Sequence, residues 1–459
     1  MITRFFNKHF RGAGGINELF AVALPLYISS SCETVMLFTD RYFLSKLGSE
    51  YMSASLGGGL SAFMFFTFFL GLIGYGTALV AQYFGARKLK KCPLVFTQSI
   101  IISLFAYPSV LLCIPLGCFI FEKIGIPREQ LEPQKIYFKI LMYGAFLSFA
   151  HHSITCYFSG IGRTGVIMVT SVATMAINVF VTYTLVSGHF GFPALGVRGA
   201  AIGTVIGHIS GLSSCLYVYL CRKNRLQFKV KESFKFDKNV LGKIFRFGYP
   251  AGIEFFLSLI AFNFFVMTFQ SYSISVSTAV TIMFNWENVY FLPLLGMNTA
   301  VTSLVGRYIG AKNYDIADRI TRSGLKIVFI YAMVGMVCFL VFAGDMVDFF
   351  RPDKNDEIFN QARPFAAFML GSVSFYLLAD ALGLVYSGAL RGAGDTFGPM
   401  CISIISSWSM FLTTFIMVRF LTVKPEAIWI FTIISFWSFN LMFFYRYRSG
   451  KWRNIKVIE

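Results

Sequence analysis

The chain has 459 residues, of which 56% are hydrophobic, 18% aromatic and only 14% charged. Soluble domains carry about 25% charged residues, so this composition excludes an ordinary soluble globular protein and points to one solvated by lipid. The formal net charge of +18 raises nucleic acid as a partner, but its placement in alternate loops argues against that and for a bilayer.

Apolar runs of roughly 20 residues, enough to cross a bilayer, recur along the whole length. They predict twelve spans, starting near residues 19, 53, 94, 136, 164, 199, 244, 275, 324, 361, 397 and 424. Lipid offers the backbone no hydrogen-bond partner, so the spans are expected as helices; the ten-residue alternation of a β-barrel is missing from the pattern. Between them, Lys and Arg collect in the N-terminal tail, the even-numbered loops and the C-terminal tail, which together hold 28 of the 40 basic residues. The stretch 222–246 alone carries nine, while the ninth loop is acidic, with Asp345, Asp348, Asp353, Asp356 and Glu357. The positive-inside rule then places both termini in the cytoplasm, which requires an even number of spans.

The nine cysteines form no CxxC pair and are expected as small hydrophobes, neither disulfides nor metal ligands. The first apolar run has the length of a true span, so no cleavable signal peptide is expected. No Gly-rich phosphate loop with a following Lys-Ser/Thr occurs, so no ATPase domain is expected. Gly392-Ala393-Gly394-Asp395 is a helix end with a tight turn, and Gly57-Gly58-Gly59 a hinge or close-packing patch.

The chain repeats itself. LVAQYFGA at 79–86 returns as LVGRYIGA at 304–311, an offset of 225 that also sets Pro25 on Pro250 and Thr77 on Thr302. Later the offset is 228: Ser159, Gly160 and Arg163 fall on Ser387, Gly388 and Arg391. Six spans per repeat is even, so the halves are parallel repeats related by an axis along the membrane normal, as in transporters that rock two lobes about a central cavity. The expected organisation is an all-α polytopic protein with an N-lobe over 1–221, a cytoplasmic linker over 222–243 and a C-lobe over 244–459 with a basic tail.

Four stretches together cover nearly the whole chain: ALPLYISSSCETVMLFTDRYFLSKLG in the first span, the Gln/Arg-Tyr-x-Gly-Ala strings ending the second and eighth, NVFVTYTLVSGHFGFPALGVRGAAIGT from the fifth into the sixth, and DALGLVYSGALRGAGDTFGPM in the tenth. In that order they resemble the multidrug and toxic compound extrusion family, in its NorM-like branch. The resemblance implies a two-lobed exporter in the bacterial inner membrane that exchanges H⁺ or Na⁺ for small amphipathic or cationic compounds, without a cofactor. It also implies Asp40 as the N-lobe coupling carboxylate, Asn178 as its fifth-span neighbour and Asp380 as the tenth-span acid. The chain departs from the pattern at Thr182, where many members carry a second polar or acidic residue. It departs again at Ser258, where the branch has Glu; Glu254 stands one turn earlier.

The residues alone lead to much the same sites. A charge at mid-bilayer costs roughly 2.5–3.5 kcal/mol even on the lenient insertion scale, so such residues face a cavity or a partner. Glu33, Asp40, Glu254, Glu287 and Asp380 all fall within predicted spans. Glu33 and Asp40 are seven residues apart, hence on one helix face about 10 Å apart; Arg41 is expected to mark the helix end. The repeat sets Glu33 on Ser258 and Asp380 on His152, which weights the ionisable site toward the N-lobe. Structural readings compete: a packing hydrogen bond for Asp40 and Asp380, solvated interface positions for Glu254 and Glu287, and cavity lining for His151 and His152. A carboxylate with a neighbouring imidazole favours H⁺ as coupling ion; were it Na⁺, Asp40, Asn178 and Thr182 would be its ligands. A monomer is expected. A flippase for lipid-linked precursors is the alternative within transport and a membrane-embedded transferase the alternative outside it, the latter disfavoured by the lack of a large aqueous loop.

Overall fold

The computed structural model describes residues 12–123, 126–351, 357–421 and 423–458. Asp353 and Asp356 of the acidic loop, with Arg4, Lys8 and Arg11 of the N-terminal tail, lie outside the described residues.

The expected all-helical, two-lobed architecture is present, and there is no strand among the described residues. The N-lobe spans are α1 (Ile16–Ser45), α2 (Ser49–Gly74 continuing as Gly76–Gly85), α3 (Lys91–Leu112 continuing as Ile114–Lys123), α4 (Arg128–Tyr143 continuing as Ala145–Gly160), α5 (Thr164–Ser187) and α6 (Val197–Leu220). The C-lobe spans are α7 (Lys238–Gln270), α8 (Ile274–Gly310), α9 (Tyr314–Val341), α10 (Glu357–Ala393), α11 (Phe397–Arg419) and α12 (Pro425–Arg448). Eleven of these are long and apolar enough to cross a membrane. The exception is α4, whose first half carries Glu129, Glu132, Lys135 and Lys139. The stretch read as linker is itself partly helical, at Arg222–Phe228 and Val230–Ser233. It ends where Asp237 caps α7 early, accepting from the amides of Asn239 and Val240 at 3.0 Å each. Near Gly392, α10 stops at Ala393 and Gly394 takes φ 93°, the tight turn expected there.

The repeated strings mark the places where helices cross. A Cβ at Gly85 would lie 1.8 Å from the Arg307 carbonyl, and one at Gly310 would lie 2.0 Å from the Gln82 carbonyl. Gly85 and Gly310 are repeat mates, as are Gln82 and Arg307, so the ends of α2 and α8 cross in a self-mirroring contact that only glycine permits. Around it, Gln82 Nε2 donates to the Gly392 carbonyl at 2.9 Å and Ser303 Oγ to the Ser159 carbonyl at 2.6 Å. A second mirrored pair sits deeper, with Gly71 against Ala251 and Gly296 against Tyr27. Beyond it the lobes part. The same helix faces, followed away from the linker end, become exposed at Thr34 and Phe38 on α1, Leu56 and Leu60 on α2, Asn263 on α7, and Thr281 and Asn285 on α8. The molecule is therefore closed at the linker end and open as a cleft at the other.

Candidate functional site

In the N-lobe, α5 presents Thr174, Asn178 and Thr182 at four-residue spacing, hence on one face, toward the glycines Gly203, Gly207 and Gly211 of α6. A Cβ at Gly203 would stand 2.3 Å from Thr182 Oγ1 and one at Gly211 2.8 Å from Thr174 Oγ1. Small residues of this spacing let membrane helices approach closely, and here the approach buries a ladder of polar groups. Asn178 and Thr182 are fully buried and Asp40 of α1 is 2% exposed.

Asp40 Oδ2 accepts a hydrogen bond from Thr204 Oγ1 at 2.9 Å. Its Oδ1 has no protein partner, and neither have the side-chain atoms of Asn178 nor the hydroxyls of Thr182 and Thr174. The Thr182 hydroxyl stands close to the same carboxylate without meeting hydrogen-bond geometry. Tyr137 of α4 is within reach of both Asp40 and Thr204. Buried polar groups are ordinarily paired, so this row of unpaired polar atoms along α5, with Asp40 against its Thr182 end, is the outstanding polar feature of the lobe. The expected helix end at Arg41 is not found: α1 runs on to Ser45.

Glu33, two turns back on α1, is exposed rather than buried with Asp40. It is within electrostatic reach of His152 on α4, whose Nε2 lies 3.7 Å from Cys156 Sγ. His151 turns the other way, its ring 5.9 Å from that of His208.

The C-lobe arranges its acids differently. Tyr376 donates a short hydrogen bond to Glu287 Oε1, and Asp380, one turn along α10, is close enough to act on the Glu287 charge. Tyr290 packs beside them, stacked on Tyr331 at 4.9 Å. Glu254 is apart from this group, 5% exposed, accepting from Arg391 Nη2 and Ser403 Oγ at 2.7 Å each. It binds α7 to α10 and α11 as one half of an ion pair.

Asp40 and Thr182 thus come together, as do Asp380 and Glu287, and Glu33 with His152; Asn178 stands one turn from Thr182 on the same face of α5, beside Met36 and Gly207, and Glu254 joins none of these groups. The sequence reading missed Thr204, Tyr137 and Tyr376. The glycine spacing 203–207–211 was the available signal for α6, but nothing local distinguishes the tyrosines. Among the described residues, no group of three or more His, Cys, Asp or Glu side chains converges in a way that could hold a metal ion.

The Probable multidrug resistance protein NorM of Thermotoga maritima is 28% identical over 455 residues, covering 96% of this chain and 94% of that protein. The Probable multidrug resistance protein YoeA of Bacillus subtilis is 24% identical over 442 residues, covering 95% and 93%. Among solved structures, a MOP superfamily transporter from Pyrococcus furiosus superposes with a TM-score of 0.86 at 21% identity, over 97% of this chain and 98% of that one. A multidrug resistance MATE family transporter in an outward-facing conformation gives 0.85 at 20%, over 97% and 98%. The sequence model of the MatE family matches residues 25–184 and 250–416, one segment in each lobe. A chain with both halves of that pattern and a two-lobed helical fold belongs to the MatE family, whose members are transporters and not enzymes: it is a multi-pass membrane transporter.

Proposed function

We propose that this chain is a multidrug exporter of a bacterial inner membrane, carrying small amphipathic or cationic compounds outward in exchange for protons. The observation that carries the reading is Asp40, a buried carboxylate with one oxygen held by Thr204 and the other free of any protein partner. A carboxylate so placed can take up a proton or face a cationic solute. Exchange requires that the two favour different lobe arrangements, and a cleft closed at one end by glycine crossings is one such arrangement. Asp380 with Glu287 supplies the second exchange site, and Glu33 with His152 a polar entry to the first. The acids Glu33, Asp40, Glu287 and Asp380 within the spans favour cationic cargo over lipid-linked anions.

The cytoplasmic placement of the linker and of both termini belongs to the same reading and rests on the basic loops. Single cysteines at Lys231 and Asp345 should label from opposite sides of the membrane; labelling from one side would refute it. Na⁺ coupling is a second reading, favoured by the unpartnered oxygens of Thr182 beside Asp40 and of Asn178 one turn along α5, since hard cations take such ligands. Purified protein in liposomes decides between the two. Dye efflux driven by a pH gradient without Na⁺ is expected; failure there, with recovery on a Na⁺ gradient alone, would overturn proton exchange.

A further inference from the structure

A crevice of about 360 Å³ opens at the linker end of the C-lobe, far along the chain from the cleft residues. Its walls are the first turns of α9, the last turns of α12 and the turn Lys451–Asn454 that follows, with Tyr386 of α10 between them. Gly450 takes φ 69° there, and the reversal brings the tail back so that Trp452 is buried and stacked on Tyr447 at 5.3 Å.

Three guanidiniums and one carboxylate line this space. Asp318 Oδ2 meets Arg322 Nη2 at 2.9 Å and Arg453 Nη2 at 3.5 Å, and the Tyr447 hydroxyl donates to Oδ1 at 2.6 Å. Both oxygens of Asp318 are therefore engaged. Arg448 makes no ion pair among the described residues; its guanidinium lies over the Phe444 ring, 5.8 Å from the centroid. Three arginines against one aspartate leave the crevice with a formal charge of +2. Guanidinium forks match phosphate oxygens in pairs, so a phosphate group would complete the set.

The surroundings say which phosphate. The crevice lies where α9 and α12 reach the membrane surface, and exposed apolar side chains lead from it toward the hydrocarbon: Leu441 and Tyr445 on α12, Phe329 and Ile330 on α9. A free anion has no use for such a strip, whereas acyl chains do. Basic pockets between helices at this depth suit anionic lipid headgroups. We propose that the crevice binds the phosphate headgroup of an anionic phospholipid, with Arg448 and Arg453 as its principal contacts and Asp318 as the residue that holds Arg322 and Arg453 in place.

Native mass spectrometry of the full-length protein in detergent, titrated with phosphatidylglycerol or with phosphatidylcholine of the same chains, tests this. Phosphatidylglycerol is expected to bind about tenfold more tightly. Arg448→Gln and Arg453→Gln should each cut that preference about fivefold, the worth of one basic side chain at a membrane surface. Two variants, one at the end of α12 and one in the turn that follows it, keep the test standing should one of them unfold. Inorganic phosphate at matching concentration should leave the lipid adduct unchanged. Equal retention of the two lipids, an undiminished preference in both variants, or displacement of the lipid by inorganic phosphate would each overturn the proposal.

Discussion

The two lobes share a fold and a repeat yet treat charge in opposite ways. In the N-lobe, Asp40 sits against the neutral hydroxyls of Thr204 and Thr182. Its repeat mate in the C-lobe is Phe265, and Thr182 is matched by Met410, both buried and apolar. Where the N-lobe has a polar pocket, the C-lobe has packing. The C-lobe instead carries its acids on α8 and α10, where Tyr376 and a second carboxylate face them, and spends Glu254 on an ion pair with Arg391. The halves share the helix crossings and differ in the interior of each lobe, because a crossing constrains backbone while a pocket constrains only side chains. One lobe is thus built to leave a carboxylate unpaired, and the other to pair or cluster its acids.

The largest expected effect tests that contrast directly. Asp40→Asn keeps the shape and removes the charge, and efflux should fall to the background of empty liposomes with expression retained; normal efflux would leave the N-lobe pocket without a role. Asp380→Asn should come next, with transport down by about tenfold in the same assay, because Glu287 remains beside it. If Asp380→Asn were as severe as Asp40→Asn and Glu287→Gln also silenced transport, the lobes would be equal partners and the contrast would break.

Glu254→Gln should act on stability before transport. It leaves the Arg391 charge without its partner in a largely buried setting, and removal of one member of such a pair costs roughly 3 kcal/mol. A lowered melting temperature with transport per folded molecule nearly intact is expected; unchanged stability with lost transport would move Glu254 into the exchange site.

The smallest effect lies outside the spans. Asp348 accepts from Arg363 Nε at 2.7 Å and Nη2 at 2.6 Å, and from Arg351 at 2.8 Å. The Arg363 hydrogen bonds, with Arg351 adding to them, hold its carboxyl down to about 2. A depressed carboxyl contributes above its ordinary value near 3.8 and loses the contribution as pH falls through about 2. The clamp joining the short helix Ala343–Asp348 to α10 should therefore be constant from pH 7 to about pH 5. Amide protection factors in that helix should fall a few-fold in Asp348→Asn at pH 7, and a change of protection between pH 7 and about pH 5 in the wild type would contradict the assignment.

Much of the fold was legible because lipid imposes a coarse rule: apolar runs of one length, with basic loops between. The rule failed at the ends of helices. Helix α9 begins at Tyr314 rather than near 324, since its first turns carry Asp315, Asp318, Arg319 and Arg322 at the membrane surface. Helix α4 begins at Arg128 for a similar reason. Asp40 stood out as a charge within an apolar run, but its partners did not. Thr204 lies 164 residues away and is an unremarkable residue in a span; Arg391 lies 137 residues from Glu254. Such pairings exist only once helices pack, and one sequence holds no trace of them beyond the glycines that let the packing occur.

The crossing of Gly85 over Arg307 and of Gly310 over Gln82 has a further consequence. Were the halves two identical chains, this would be an isologous contact, in which one patch recognises its own copy across a twofold axis. An ancestor of half the length could then have assembled as a homodimer through the very string that the repeat preserves. In a single chain the patch is free of self-complementarity, and it has Gln82 on one side and Arg307 on the other. Gln82 reaches the Gly392 carbonyl, while the Arg307 guanidinium lies over the Phe84 ring, 5.2 Å from its centroid. The closed end thus has the geometry of a dimer interface made asymmetric, and its two halves can be tuned separately.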